Sequence, residues 1–346
     1  MLSGIAKVVK SKVKVSLRWG LSVVDCNLRG MEPNSFKVAG LFAGVGGIEL
    51  GFAQAGFQPV IANEIDKFAA VTYRLNHENP LILSDIHELN SGEIPKINVL
   101  TGGFPCQAFS VAGYRRGFKD PRGNVFWEIV RLLEDKRPEV VFLENVKNLK
   151  NHDGGKTFEV IVTALEEVGY TVQYKVLNSA EYSSIPQNRE RIYIVGFRTK
   201  KFANEFVFPE PAQSLGELSK FIDFEGKVGE EFYYNDRYMT KELVKSMKRT
   251  DTVYQWRRQY VRENKSGLCP TLTANMGTGG HNVPLVLTKH GIRKLTPKEC
   301  FNLMGFPKGF KLPKDLANSH LYKQAGNAVV VPVIKRIATN IAKALG

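Results

Sequence analysis

From residue 36 to about residue 200, short apolar runs alternate with amphipathic stretches. This pattern restricts the chain to a largely parallel sheet with helices on both faces. Residues 36–42 read as a buried strand and 48–54 as a helix that stops near Gly56. Residues 59–61 form a short strand ending near Glu64, 67–76 a helix, and 81–83 a strand ending near Asp85. Val99-Leu100 leads into Pro105-Cys106. Residues 126–133 have helical spacing, and 140–143 a strand ending at Glu144. Phe158, Ile161, Leu165 and Val168 share one helix face, which Gly169 ends. Residues 170–177 and 192–197 are the final pair of strands. The expected fold class is therefore α/β, a doubly wound sheet.

Such sheets bind ligands beyond the carboxyl ends of their strands. Gly44, Glu64, Asp85, Cys106 and Glu144 all fall at such ends. The pattern breaks at Pro209 and Pro211, and residues 212–290 are richer in polar, aromatic and glycine residues. We read a second, smaller domain there. Tyr254-Gln255-Trp256-Arg257-Arg258-Gln259-Tyr260-Val261-Arg262 mixes bases with aromatics. Gln324-Ala325-Gly326-Asn327 reads as a turn into a last amphipathic helix, 333–345, able to pack back on the first domain. The expected boundaries are a basic extension at 1–35, a catalytic domain at 36–200, a second domain at 201–318 and a returning helix at 319–346.

Charge narrows the partner. The 346 residues carry a net +14. Residues 1–35 hold six Lys and Arg against Asp25 and Glu32, a net +4, so +10 is spread over the body. A basic body favours a polyanion, nucleic acid first. Cysteines stand at 26, 106, 269 and 300 with no CxxC, which suggests neither a disulfide framework nor a zinc site. A reducing, cytoplasmic compartment is expected. No apolar run approaches the ~20 residues of a membrane span. Residues 1–30 are expected to be poorly ordered, with Met31 an alternative start; a DNA-contacting arm is the second reading.

Three motifs carry chemistry. Phe42-Ala43-Gly44-Val45-Gly46-Gly47 follows the first strand and opens a helix, where glycines let backbone approach a ligand. Glu49 stands where a dinucleotide fingerprint has its third glycine, so pyrophosphate is disfavoured. Glu64, 20 residues after Gly44, is placed for ribose hydroxyls. A nucleoside ligand without pyrophosphate fits, S-adenosylmethionine among them. A lone cysteine is more often inert and buried. Cys106, however, follows Pro105 at a strand end and precedes Gln107, Ser110 and the arginine-rich loop 113–123. An exposed thiol near cations has a lowered pKa. With Glu144 beyond the next strand, thiol and carboxyl share a crevice suited to attack on an aromatic ring, cytosine first. Arg189 and Arg191 alternate before the last strand and point to one face. Without context they would pass for a solvated charge cluster.

Together these segments resemble the bacterial C5-cytosine DNA methyltransferase family of restriction–modification systems. The matching pieces stand in the family's order. They are Phe42-Ala43-Gly44-Val45-Gly46-Gly47, Glu64, Asp85, Pro105-Cys106-Gln107, Glu144-Asn145-Val146, and Gln187-Asn188-Arg189-Glu190-Arg191. Arg293-Lys294-Leu295-Thr296-Pro297-Lys298-Glu299, Leu303-Met304-Gly305-Phe306-Pro307 and Gln324-Ala325-Gly326-Asn327-Ala328-Val329 follow. The resemblance spans residues 36–335 and implies a Rossmann-like methyltransferase fold using S-adenosylmethionine, with no metal. It implies a flipped cytosine, with Cys106 as nucleophile, Glu144 as acid toward N3, Arg191 on O2 and Arg189 in support. Phe42, Gly44, Gly46, Glu64, Ile65, Asp85, Ile86, Pro105, Asn327 and Ala328 would line the cofactor site. Ala328 replaces the serine of many members, which removes one hydroxyl there. Residues 104–124 would close over the base. Gln107, Ser110, Arg115, Arg122, Arg257, Arg258, Arg262 and Thr273 are candidate contacts to duplex DNA, with 201–318 the target-recognition domain. Arg116 and Lys119 can meet phosphates. A monomer is the expectation, with a cognate restriction endonuclease acting on the same site as a candidate partner.

Rival readings are an RNA-acting relative, a silent DNA binder and a nicotinamide-dependent oxidoreductase. The long polar insert, the full catalytic set and Glu49 stand against them in that order.

Overall fold

The computed structural model describes residues 36–105, 125–234, 240–257, 260–278 and 282–346. The expectations placed on residues 1–35, on Cys106, Gln107, Ser110, Arg115, Arg116, Lys119 and Arg122, and on Arg258 lie outside them. The first sheet is built from β1 (Lys37–Leu41), β2 (Gln58–Glu64), β3 (Leu81–Leu83), β4 (Val99–Gly102), β5 (Val140–Val146), β6 (Thr171–Asn178) and β7 (Glu190–Phe197). Their order is β3-β2-β1-β4-β5-β7-β6. The first five pair in parallel, whereas β7 runs antiparallel to both β5 and β6. The helices of this part are α1 (Gly47–Ala53), α2 (Lys67–Asn76), α3 (Val125–Lys136), α4 (Lys156–Glu167), α5 (Ser179–Tyr182) and α6 (Lys200–Glu205).

Alternating strand residues divide between two cores, as a two-sided sheet requires. Val38, Val99, Val140, Phe142, Val195 and Phe197 face one apolar cluster. Ala39, Leu41, Leu100, Val141, Leu143, Ile192 and Ile194 face the other. Buried Phe126, Ile129, Val130 and Leu133 recur at helical spacing and seat α3 on the second cluster. The Asp66 carboxylate caps α2 by accepting from the Phe68 and Ala69 amides. The doubly wound α/β class is as expected. Strand boundaries at the site differ: β5 runs through Glu144 to Val146 and β7 starts at Glu190 rather than 192, so Arg191 lies inside it, because their antiparallel pairing continues to Val146↔Arg191.

Beyond α7 (Thr240–Ser246) lies a smaller sheet of β8 (Tyr254–Arg257), β9 (Tyr260–Glu263), β10 (Leu285–Thr288) and β11 (Gly291–Lys294), ordered β11-β10-β8-β9. Its own core is small: Tyr234, Leu243, Met247, Tyr254, Leu285 and Ile292. Helices α8 (Pro297–Asn302), α9 (Asn318–Asn327) and α10 (Val331–Leu345) complete the chain. Residues 324–327 are the last turns of α9 rather than the expected turn. Buried Leu321, Tyr322 and Ala325 give that segment a helical apolar face, which the short motif alone does not reveal. α10 starts with Pro332 in its first turn and buries Ile334, Ile337, Ala338 and Ile341. It packs in the same apolar cluster as Phe52 of α1.

Glu49, in the first turn of α1, is buried, with its carboxyl against the Gly40 backbone and Oε2 without a partner among the described residues. Burial, aided by the nearby Glu64 charge, raises its pKa to about 8, against a hydrogen bond from its own backbone. The folded state therefore holds a proton that the unfolded chain releases near pH 4.5. The stabilisation is complete below that pH and is lost as pH rises to about 8. Glu49→Gln should flatten the pH dependence of urea unfolding across this window by up to ~1.4 kcal/mol per pH unit. It should also be the more stable protein at pH 8. Parallel unfolding curves for the two proteins at pH 5 and pH 8 would contradict this.

Candidate active site

The Gly loop after β1 holds a run of left-handed backbone that includes one non-glycine, Phe42. Phe42, Gly44 and Gly46 all have positive φ, at 53°, 56° and 84°, and a non-glycine residue held there is a feature of functional sites. Glu64, at the end of β2, fastens the loop. Its Oε2 accepts the Gly44 amide at 2.6 Å, and its Oε1 accepts the Ile65 and Asp66 amides at 2.9 and 2.7 Å. His77 supports the loop from behind, with Nε2 3.1 Å from the Val45 carbonyl and its ring stacked on Tyr73. A carbonyl only accepts, so Nε2 carries the hydrogen. Burial lowers the His77 pKa, which favours the neutral ring. The ring leaves no room for a Cβ at Gly46.

The acid comes from β5. Glu144 is 8% exposed and opposite Tyr193 in the antiparallel register. Arg191 is the diagonal neighbour on the same face, and its Nε stands 3.1 Å from Glu144 Oε1. Burial raises the Glu144 pKa, while the charges of Arg191 and Arg189 partly oppose it. The adjacent Asn145 turns to the other face and donates to the Phe104 carbonyl at 2.9 Å. This bond pins the chain just before Cys106, and Gly103 runs beside the Glu144 carboxyl.

These pieces enclose one cavity of about 470 Å3. Of the residues expected at the cofactor, Phe42, Gly44, Glu64, Ile65, Pro105, Asn327 and Ala328 line it, as do Glu144, Arg189 and Arg191. Gly46, Asp85 and Ile86 do not. Gly46 caps α1, and Ile86 is buried in the core. Asp85 caps a short helical turn, with its carboxylate bonded to the His87 amide and to His87 Nδ1. Arg189 is 3% exposed and donates to three backbone carbonyls. Ile65 is 63% exposed on the rim.

The motif named Gln324 but not its role as a tie: its Oε1 accepts the Thr72 hydroxyl at 2.8 Å and its Nε2 donates to the Phe68 carbonyl, joining α9 to α2 beside the cavity. No local signal announces such a bond. Sequence reasoning missed part of the hairpin β8–β9. Tyr254, Trp256 and Val261 face the small core, which leaves Gln255, Arg257, Tyr260 and Arg262 on the outer face. Arg257 and Arg262 were expected. Gln255 and Tyr260, the latter 57% exposed, follow from the period of two. Thr273 is exposed ahead of a short helical turn.

The geometry defines a doubly wound enzyme with a nucleoside-sized cavity, in which a buried acid is paired to an arginine at the carboxyl ends of the strands. The model of the family described as C-5 cytosine-specific DNA methylase matches residues 36–343. The chain belongs to that family. It is 56% identical over 313 residues to type II methyltransferase M.Bsp6I of Bacillus sp. (strain RFL6), covering 89% of this chain and 99% of that one. It is 38% identical over 340 residues to type II methyltransferase M.HhaI of Haemophilus parahaemolyticus, covering 94% and 98%. A solved DNMT2 from Spodoptera frugiperda shares the fold with a TM-score of 0.69 at 20% identity, over 89% of this chain and 100% of that one. Family and fold imply use of S-adenosylmethionine. The cavity suits it: a glycine loop for close approach, and a carboxylate at Glu64 with one lone pair left on Oε2 for a hydroxyl.

Glu64→Ala would leave the three loop amides unpartnered. It should cost about 1–3 kcal/mol in urea unfolding and weaken binding of S-adenosylhomocysteine at least tenfold by calorimetry. Unchanged affinity would remove Glu64 from the site.

Proposed function

We propose that the protein methylates C5 of a cytosine flipped out of duplex DNA, within one short sequence, as the modifying partner of a restriction endonuclease. The observation that supports this best is the shared cavity. The Glu144–Arg191 pair faces the Gly103-Phe104-Pro105 segment there, beside the Gly loop and Glu64, and Cys106 is bonded to Pro105. When bound, S-adenosylmethionine supplies an electrophilic methyl group. The Cys106 thiolate adds to C6 of the base, which raises electron density at C5. Glu144 delivers a proton toward N3 and neutralises the charge that develops. Its raised pKa keeps that proton available. Arg191 grips O2 and steadies Glu144. After C5 is methylated, a water takes the C5 proton, the C6–S bond breaks and Cys106 leaves.

Residues 36–200 and 319–346 form the catalytic part in this reading, and 201–318 the recognition part. Gln255, Arg257, Tyr260 and Arg262 on the outer hairpin face, with Thr273, are the base and phosphate contacts; Arg can be bidentate to guanine. Gln107, Ser110, Arg115, Arg122 and Arg258 join them by family resemblance. The enzyme acts as a monomer in the cytoplasm. No helix among the described residues is long and apolar enough to cross a membrane.

Bisulfite sequencing of a plasmid carrying the gene should reveal protected cytosines in one short context, absent with Cys106→Ala. Folded protein that binds S-adenosylhomocysteine yet protects no cytosine would sink the reading. Glu144→Gln should lower kcat by about 10²-fold or more. The wild-type kcat should fall as pH rises through the elevated Glu144 pKa, and the variant should lose that falling limb. A wild-type limb that survives in the variant assigns it to another group.

A further inference from the structure

Residues 186–189, just before β7, are stitched to three segments remote in sequence, at 269–272, 303 and 326–328. Gln187 is fully buried; its Oε1 accepts the Leu272 amide at 3.2 Å, and its Nε2 donates to the Leu303 carbonyl at 2.7 Å. The Asn188 amide donates to the Cys269 carbonyl at 2.9 Å, and the Cys269 amide to the Pro186 carbonyl at 2.7 Å. The Thr271 hydroxyl donates to the Asn188 carbonyl at 2.6 Å. Arg189 joins the first and the last. Its Nη1 donates to the Leu272 carbonyl at 2.6 Å, and its Nη2 to the Ala328 and Gly326 carbonyls at 2.7 and 3.1 Å.

One buried guanidinium therefore holds the segment leading to Thr273 with one nitrogen and the cavity wall at Gly326 to Ala328 with the other. The fork is planar and rigid, so a shift of either backbone tilts it away from the other. Gly326 leaves no slack, since its Cα lies against the Thr273–Ala274 peptide where no Cβ fits. None of residues 269–278 lines the cavity itself.

We propose that Arg189 is a positioning residue that makes the DNA-reading segment and the cofactor wall respond as one, so that filling the cofactor cavity orders residues 270–278. The proposal rests on the functional reading above for what fills the cavity. The role of Arg189 rests on its hydrogen bonds, which go to the Leu272, Gly326 and Ala328 carbonyls. By reciprocity, DNA held at Thr273 tightens the cofactor by the same factor.

Hydrogen exchange on the full chain, with and without S-adenosylhomocysteine, tests this in the wild type and in Arg189→Lys, with binding followed by calorimetry. In the wild type, the ligand should slow exchange across 270–278 at least about fivefold. In folded Arg189→Lys, saturated with ligand at the affinity calorimetry gives, protection of the Gly loop should come with no slowing at 270–278, because an ammonium cannot reproduce the two-sided fork. Wild-type protection confined to the cavity's own segments overturns the proposal, and that arm stands even if the variant does not fold. Equal slowing at 270–278 in the variant overturns it too. No binding of S-adenosylhomocysteine to the wild type sinks the functional reading, and the proposal with it.

Discussion

The antiparallel seam between β5 and β7 is the constraint on which the site depends. In a parallel sheet only the carboxyl ends of strands reach the ligand crevice. β7 runs the other way, so its amino end reaches the same crevice as the carboxyl end of β5. Arg189, just before β7, and Arg191, its second residue, consequently stand at the strand's start, whereas Glu64 ends β2 and Glu144 lies two residues before the end of β5. The register then places Arg191 diagonal to Glu144 on one face. With a parallel β7, the arginines would sit at the opposite edge of the sheet.

Bringing these charges together is costly for the fold. Buried ions lose hydration that their mutual attraction restores only in part. Arg189 recovers much of it from three carbonyls, and Arg191 from Glu144 and the Glu190 carbonyl. Glu144 recovers least, which is why burial dominates its pKa. Exposed pairs such as Lys147–Glu190 and Arg249–Asp251 belong to a different regime, where solvent screens nearly all the gain. The buried cluster is better explained as a site than as a source of stability.

The sheet was legible in the sequence because burial on both faces writes itself as short, nearly continuous apolar runs. Glu64 and Glu144 were legible because polar residues at the ends of such runs have few structural reasons to be there. Asp85 met the same criterion, yet its carboxylate is occupied in capping a local turn with His87. A strand end nominates a residue but does not aim its side chain. The helical character of 324–327 was hidden, since Gly and Asn lower helix propensity and the compensating contacts come from elsewhere in the chain. Gln187, Arg189 and Gln324 were legible as motif members but not as ties, because each bonds backbone or side chains 80 or more residues away. Local periodicity carries no information at that range.

The distribution of apolar residues bears on how the two parts work together. Leu272, Met276, Phe301 and Phe310 belong to the same cluster as Phe52 of α1 and Ile334 of α10. The second region thus borrows much of its core from the first, and only the hairpin sheet packs on a cluster of its own. An enzyme that reads one base pattern and reacts at one ring atom needs its reading and reacting groups held in fixed relation, since small displacements cost rate steeply. A separate recognition core joined by a linker would leave that relation loose. A shared core, with Gln187 and Arg189 bonded to both sides of it, ties the two regions together.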